Sequence, residues 1–213
     1  MDALFEDRRD AGRQLAAALS DAYAGRGDVI VLGLPRGGVP VAAEIARALH
    51  AKLDVLPVRK LGLPGHKEYA MGAIATGDVM VLDENVLQAM RVDRAAIDTA
   101  KVLEQAELRR REQLYRAGRA PLNLAGKIVI VVDDGLATGC TMRAAVAAIH
   151  SHDPAEIVVA APVSSEEAWE SLRLGVADIV CLSIPQIFRA VGLWYRSFPQ
   201  TSDEEVLQIL AER

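Results

Sequence analysis

The stretch Lys127–Thr141, K-I-V-I-V-V-D-D-G-L-A-T-G-C-T, predicts more about this chain than any other part of it. Its five β-branched residues, Ile128–Val132, form an apolar run of the length expected for a strand buried on both faces. Two adjacent carboxylates, Asp133 and Asp134, end that run, and a loop rich in Gly and Thr leads into a helical pattern from Met142. Backbone N–H groups of such a loop and the positive end of the helix dipole point at one spot. The stretch therefore predicts an anion site at the end of a buried strand.

The two carboxylates restrict which anion fits. Asp133 and Asp134 would repel a bare phosphate, whereas a ribose 5-phosphate can donate its hydroxyls to them while its phosphate lies in the loop. Here the chain resembles the type I phosphoribosyltransferases, whose signature for 5-phosphoribosyl 1-diphosphate (PRPP) is an acidic pair, two further positions and a small-Thr-Gly-x-Thr loop. The resemblance implies that Asp133 and Asp134 hold the ribose and Mg²⁺, and that Asp134 is catalytic. It also implies a 5′-phosphate site formed by Ala137, Thr138, Gly139, Cys140 and Thr141.

A second strand–loop–helix unit precedes this one. The pattern predicts a buried strand over Val29–Leu34 and a helix from Val39 to about His50, joined by Pro35-Arg36-Gly37-Gly38. In a parallel sheet this loop lies at the same edge as Asp133, glycines allow close backbone approach, and a guanidinium suits a phosphate. The resemblance implies that Arg36, Gly37 and Gly38 bind pyrophosphate, often through a non-proline cis peptide. A glycine turn with a solvated arginine is the alternative.

The next predicted strand, Leu53–Val58, ends in two cations, Arg59 and Lys60. We predict that both contact pyrophosphate, although a solvated strand end is equally compatible with the pattern. The segment that follows resembles the flexible catalytic loop of the adenine phosphoribosyltransferases, which implies a lid over about 61–78 and a proton-transfer role for Glu68. His66 is the alternative for that role because it titrates near neutrality. We expect a hairpin of Met71–Ala75 and Val79–Leu82 to return the lid to the sheet.

Two helices are predicted between this hairpin and the opening strand, a short one over Asp83–Met90 and a long one over Arg94–Gly118. The long helix carries the run Arg109-Arg110-Arg111. We interpret the run as a solvated face, with a contact to a ligand or partner as the alternative.

The segment Ile184–Phe198 is dense in aromatic residues for this chain. It resembles the purine-binding hood of the hypoxanthine-type phosphoribosyltransferases, which implies that Phe188 stacks on the base and that backbone groups near Val191 bind its edge. The alternative is a small satellite core of Phe188, Trp194 and Phe198. Trp194 occupies the position of an acidic magnesium ligand in that family, so the acceptor base stays open, with purines slightly favoured.

A length of 213 residues suits one domain. We predict an α/β fold with a doubly wound, mostly parallel central sheet of the type I phosphoribosyltransferase kind. The core spans about 25–183, and a small hood comes from 184–213 with a contribution from 1–24, which includes a helix over 7–24. Further predicted elements are strands Ile157–Ala161 and Ile179–Leu182, a helix from Ser164 to about Leu174, and a final helix Val206–Ala211.

Composition restricts partners and location. The net charge of −5 and pI of about 5.4 argue against nucleic acid and anionic membranes as partners. Cys140 and Cys181 lack metal-ligand spacing, which favours free thiols in the cytoplasm. The N-terminal residues do not resemble a signal peptide, and no apolar run has membrane-spanning length. We also expect a homo-oligomer, specifically a dimer.

The resemblance implies a pentosyltransferase that transfers the 5-phosphoribosyl group of PRPP to a nitrogenous base and releases pyrophosphate, with Mg²⁺ as cofactor. The alternative is a non-catalytic sensor of PRPP or a nucleotide on the same fold. The chain contains no G-x-x-x-x-G-K-[ST] and no G-x-G-x-x-G after a strand. These absences argue against a P-loop nucleoside triphosphatase and a Rossmann dehydrogenase.

Overall fold

The computed structural model describes residues 3–63 and 65–212, with the backbone but not the side chains of 66–69. Its helices and strands follow in the order α1 (Arg8–Tyr23), β1 (Val29–Gly33), α2 (Gly38–Leu49), β2 (Lys52–Val55), β3 (Val58–Leu63), β4 (His66–Ala75), β5 (Val79–Leu82), α3 (Glu84–Ala89), α4 (Arg94–Arg116), β6 (Ile128–Val132), α5 (Cys140–His150), β7 (Glu156–Val163), α6 (Glu166–Leu172), β8 (Asp178–Ser183), a 3₁₀ turn (Val191–Trp194) and α7 (Asp203–Ala211).

Five parallel strands form the central sheet in the order β2-β1-β6-β7-β8. Strand β6 lies in the middle, and all five of its residues are buried. Its register places Val132 beside Gly33 at the end of β1, and Leu34 N–H donates to Val132 O over 2.9 Å. The loops that follow β1 and β6 therefore leave the sheet side by side. This confirms the predicted parallel α/β fold and the shared edge of the two loops.

Helices cover both faces of the sheet because successive side chains of a strand point to opposite faces. On one face, Ile128 and Ile130 pack with Leu15 of α1 and Ile45 of α2. On the other face, Val129 and Val131 pack with Met142 and Ile149 of α5. The sheet is thus doubly wound, as predicted.

The predicted strand Leu53–Val58 is wrong, because two strands of different sheets replace it. Strand β2 ends at Val55, and β3 begins at Val58 in a separate antiparallel sheet of order β3-β4-β5. Pro57 lies between them and has no N–H for a ladder hydrogen bond, so the parallel pairing ends there. Arg59 and Lys60 consequently lie inside β3 rather than at the end of a central strand.

The hairpin of β4 and β5 is confirmed, although β4 starts at His66 rather than Met71. Most of the predicted lid segment, 61–78, is therefore strand. One face of this second sheet packs on the long helix α4, through Leu61, Leu63 and Met71 against Ile97 and Leu108. Helix α4 and the hairpin together form a wall beside the central sheet.

The two ends of the chain pack on each other. Leu4 and Phe5 donate their N–H groups to the Trp194 carbonyl, and Phe5, Trp194 and Tyr195 share an aromatic cluster with Phe188 and Phe198. Helix α7 begins three residues earlier than predicted and packs on α2 through Val206 and Ile209. No helix in the ranges that the structure covers combines the length and apolarity needed to cross a bilayer.

Candidate active site

A cavity of about 740 Å³ opens at the carboxyl edge of the central sheet. Asp133 and Asp134 follow β6 directly and line it. The loop after β6, strand β3, helix α4 and Val191 form its other walls. A volume of this order is typical of small-molecule sites. The structure therefore brings the predicted acidic pair into a ligand-sized cavity.

The loop after the acidic pair forms one end of the cavity. Ala137, Thr138, Gly139 and Thr141 line it, and Gly139 has the positive φ of 72° that glycine adopts without strain. Helix α5 begins here at Cys140, two residues before the predicted start, so its free N–H groups belong to this loop. Thr141 Oγ1 is buried and has no hydrogen-bond partner among the described residues. A buried hydroxyl without a partner is costly, and an anion in the loop would supply the acceptor.

Cys140 is the one residue of this predicted 5′-phosphate set whose side chain does not line the cavity. Its thiol is 1% exposed, and Arg143 Nη2 lies 3.1 Å from Sγ. Cys140 can therefore serve an anion only through its backbone.

The loop Pro35–Gly38 packs directly against the acidic pair. The peptide bond between Pro35 and Arg36 is cis, as the resemblance implied. A Cβ atom on Gly37 would collide with the Asp134 carboxylate, and one on Gly38 would lie 2.5 Å from Val132 O. Both positions therefore require glycine because of this close approach. The Arg36 side chain is directed to α7, where Nη1 lies 3.5 Å from Asp203 Oδ1.

Arg59 and Lys60 of β3 both line the cavity. Arg59 is paired with Glu104 of α4, since its Nη2 and Nε lie 2.6 Å and 2.7 Å from Glu104 Oε2. Lys60 is exposed, and its charge opposes the rise in pKa that burial causes at both site carboxyls. The predicted proton carriers Glu68 and His66 have side chains outside the described residues, so their role stays a prediction.

Burial dominates the electrostatics of the acidic pair. It raises the pKa of Asp133, and the neighbouring Asp134 charge raises it further. Burial also raises the pKa of Asp134, while Arg8 of α1 opposes this through an ion pair of 2.8 Å. Burial makes the charged form of both carboxyls costly. The pair therefore favours a ligand that brings compensating positive charge or hydroxyl donors.

A divalent cation fits this donor set. In the part of the chain that the structure describes, no cluster of three or more His, Cys, Asp or Glu side chains forms a complete metal site. Mg²⁺ prefers one or two carboxylates, with phosphate oxygens and water as its remaining ligands. Asp133 and Asp134 are the residues that would hold it.

The predicted base-binding residues occupy different places. Val191 lines the cavity and packs on Gly135, where a Cβ atom would lie 2.5 Å from Val191 Cγ1. Phe188 is instead packed against the aromatic cluster of the two chain ends and is not among the lining residues. The satellite core that was the alternative for this segment is thus present.

Sequence reasoning missed several residues of the cavity. One stripe of α4 lines it through Ala96, Thr99, Ala100 and Leu103, followed by Arg111. Arg8 was also missed. No local motif marks these residues, because their place depends on how α1 and α4 pack.

Comparison with known proteins identifies the family. The model of the phosphoribosyl transferase domain matches residues 2–193. The chain belongs to this family. The crystal structure of TT1426 from Thermus thermophilus is 43% identical, covers 98% of both chains and superposes with a TM-score of 0.80. A phosphoribosyl transferase fold of the type I kind is thereby established for this chain.

Two longer relatives also match the chain. A Mycobacterium tuberculosis protein provisionally named a phosphoribosyl transferase is 46% identical over 207 residues, which are 97% of this chain and 46% of that protein. The chain thus spans about half the length of the curated relatives it matches. The Bifunctional protein PyrR of Roseiflexus is 25% identical over 181 residues, 84% of this chain and 78% of that protein.

Proposed function

We propose that this domain transfers the 5-phosphoribosyl group of PRPP to a nitrogenous base and releases pyrophosphate. One observation carries the proposal. The half-buried pair Asp133 and Asp134 shares a cavity with cations of β3 and with an anion loop whose Thr141 hydroxyl has no hydrogen-bond partner among the described residues. A sugar that carries a phosphate at one end and a diphosphate at the other matches these three features in one molecule.

Different residues contact different parts of PRPP. The 5′ phosphate lies in the loop Ala137–Thr141, where α5 contributes its free N–H groups and its dipole. Asp133 and Asp134 accept hydrogen bonds from the ribose hydroxyls. The diphosphate lies toward Lys60 and Arg59, with the backbone of the Arg36–Gly38 loop beside it.

Mg²⁺ bound by Asp133 and Asp134 would neutralise charge on the departing pyrophosphate. It would displace protons from two carboxyls whose pKa burial raises. The same half-buried pair is poorly suited to remain charged without a cation.

Exchange at the anomeric carbon passes through an oxocarbenium-like state, as in glycoside chemistry. The chain's own residues then orient the ribose and exclude water, while the β3–β4 hairpin carries Glu68 as the proposed proton donor to the base. Val191 is the proposed contact for the base edge. A purine is the favoured acceptor class. Phe188 is the proposed stacking residue, and it reaches the base only when the aromatic cluster moves.

We further propose that the protein works in nucleotide metabolism in the cytoplasm, as a homodimer. Two free cysteines, Cys140 and Cys181, are consistent with a reducing compartment.

Calorimetry with PRPP and Mg²⁺ tests the proposal. Wild-type protein should bind PRPP, and Asp133→Asn/Asp134→Asn should not. The control Asp28→Asn, at a partly exposed residue just before β1, should bind as wild type. A panel of purines, pyrimidines and orotate with PRPP, read as pyrophosphate release, then tests catalysis. Tight binding with no turnover would support the PRPP sensor instead. Absence of PRPP binding by the wild type would overturn both.

A further inference from the structure

The three consecutive arginines of α4 have three different surroundings. Arg109 is exposed and makes no ion pair within the described ranges. Arg110 is half exposed and donates to Glu107 and to Asp203 of α7. Arg111 is only 13% exposed in its side chain and lines the cavity of the acidic pair. The prediction of one solvated face therefore fails for Arg111, and the alternative of a ligand contact becomes the better interpretation.

Arg111 lines the same cavity as Arg59 and Lys60. Glu104, the partner of Arg59, precedes Arg111 by seven residues, which is two turns of α4 or roughly 10 Å along its axis. Residues at this spacing lie on one face of a helix. Arg59 of β3 and Arg111 of α4 therefore both line the cavity, on the side where α4 carries Glu104.

Three cations, Arg59, Lys60 and Arg111, line the cavity. Arg59 is paired with Glu104 and Arg111 with Glu107, while Lys60 is exposed. Glu107 is shared, since it accepts from both Arg110 and Arg111, and these two guanidinium groups lower its pKa to about 2. Three cations in one cavity fit a multiply charged anion.

The guanidinium of Arg111 still has donors for such a ligand. Glu107 Oε1 accepts from its Nε–H over 2.8 Å. A guanidinium has five N–H donors, and among the described residues only this one is engaged. A planar fork of N–H groups suits the paired oxygens of a phosphate.

We propose that Arg111 binds the diphosphate group of PRPP, and pyrophosphate after transfer, as a cation contributed by α4. This inference rests on the proposed function and adds a residue to its diphosphate subsite. The remaining arginines of the run have structural or solvated roles, so the three positions are not interchangeable.

The test compares three ligands by calorimetry in Mg²⁺: inorganic pyrophosphate, ribose 5-phosphate and PRPP. Arg111→Met keeps the apolar stem and removes the charge, Arg111→Lys keeps the charge, and Arg109→Met is the matched control. We expect Arg111→Met to weaken pyrophosphate and PRPP binding at least about tenfold, as for loss of a charged hydrogen bond. Ribose 5-phosphate should bind unchanged, Arg111→Lys should recover part of the loss, and Arg109→Met should bind all three ligands as wild type.

Three results would overturn the inference while leaving the proposed function standing. They are unchanged pyrophosphate binding in Arg111→Met, equal losses of pyrophosphate and ribose 5-phosphate, and an effect of Arg109→Met as large as that of Arg111→Met. Equal losses would mean a general structural role, which a lowered thermal midpoint of Arg111→Met with recovery in Arg111→Lys would identify. Failure of the wild type to bind any of the three ligands would overturn the proposed function and this inference together.

Discussion

The Nε–H of Arg8 donates to Asp134 Oδ2 over 2.8 Å, although 126 positions separate the two residues in the chain. The same guanidinium donates through Nη1 to Pro199 O over 2.7 Å and lies 3.7 Å from the centroid of the Phe198 ring. Tyr195 adds a hydrogen bond of 2.6 Å from its hydroxyl to Asp134 O. Residues from both terminal segments therefore hold Asp134, Arg8 through its carboxylate and Tyr195 through its backbone carbonyl.

Replacing Arg8 should weaken both the fold and the site. Arg8→Met leaves the half-buried Asp134 without its cation, so we expect a loss of about 1–3 kcal/mol in the free energy of unfolding. Affinity for PRPP should fall about tenfold because the carboxylate loses its fixed orientation. Urea unfolding and calorimetry measure the two effects. Arg9→Met, on the exposed side of α1, is the control and should change the free energy of unfolding by less than about 0.5 kcal/mol. If Arg8→Met matched the wild type in both stability and PRPP affinity, the ion pair would contribute to neither.

Replacing Thr141 by Val should weaken ligand binding without lowering the stability of the fold. The Thr141 hydroxyl is buried and has no partner in the part of the chain that the structure describes, so its removal should leave the free energy of unfolding unchanged or raise it. Ribose 5-phosphate should bind about tenfold more weakly, because a phosphate oxygen loses a donor.

Thr76→Val is the matched control for this prediction. Thr76 Oγ1 is also buried without a partner in the described structure, but Thr76 does not line the cavity. Its replacement should leave ribose 5-phosphate affinity unchanged. Equal affinities of Thr141→Val and the wild type would contradict the phosphate-loop assignment.

Adding a methyl group at Gly37 should damage the site. A Cβ atom there collides with the Asp134 carboxylate, so Gly37→Ala should cost about 1–3 kcal/mol of unfolding free energy, as overpacking does. PRPP binding should fall in parallel, because the carboxylate or the loop must move. Thermal unfolding and calorimetry provide the readouts. Gly27→Ala, where a Cβ atom meets nothing within 4 Å, should be neutral, and equal behaviour of the two variants would refute the close approach.

The raised pKa of Asp133 gives the stability a definite pH dependence. Burial and the Asp134 charge favour the neutral acid in the folded state. The stabilisation that a neutral carboxyl gives is complete below the unfolded pKa of about 3.9 and is lost as the pH rises through the folded value. Asp133→Asn keeps a neutral side chain at all pH values, so it should be more stable than the wild type at neutral pH, by about 1–2 kcal/mol.

This difference between Asp133→Asn and the wild type should shrink toward zero near pH 4. Urea unfolding from pH 4 to pH 8 measures it. Asp28→Asn is the control of opposite sign, because a hydrogen bond from Arg26 lowers the pKa of Asp28. If the difference in unfolding free energy between Asp133→Asn and the wild type stayed constant from pH 4 to pH 8, folding would not raise the pKa of Asp133.

Much of the architecture follows from local pattern. Strand β6 has the predicted bounds, because five consecutive β-branched residues with buried neighbours leave little choice of structure. Helix α5 starts two residues early because Gly139 takes a left-handed conformation that lets the first turn form at Cys140. The strand predicted over Leu53–Val58 is interrupted at Pro57. The apolar residues on both sides of Pro57 look like one continuous strand in the sequence, although they belong to two sheets.

Local pattern predicts the loop after β6, the acidic pair and the two glycines beside it, because each is a short-range pattern with one conformational meaning. Tertiary packing sets the partners of the charged side chains: Arg8 meets Asp134, Arg59 meets Glu104, and Arg111 rather than Arg109 lines the cavity. The reason is physical. A charged side chain of four or five bonds can serve any partner that packing brings within reach, and that packing depends on buried apolar contacts between distant elements.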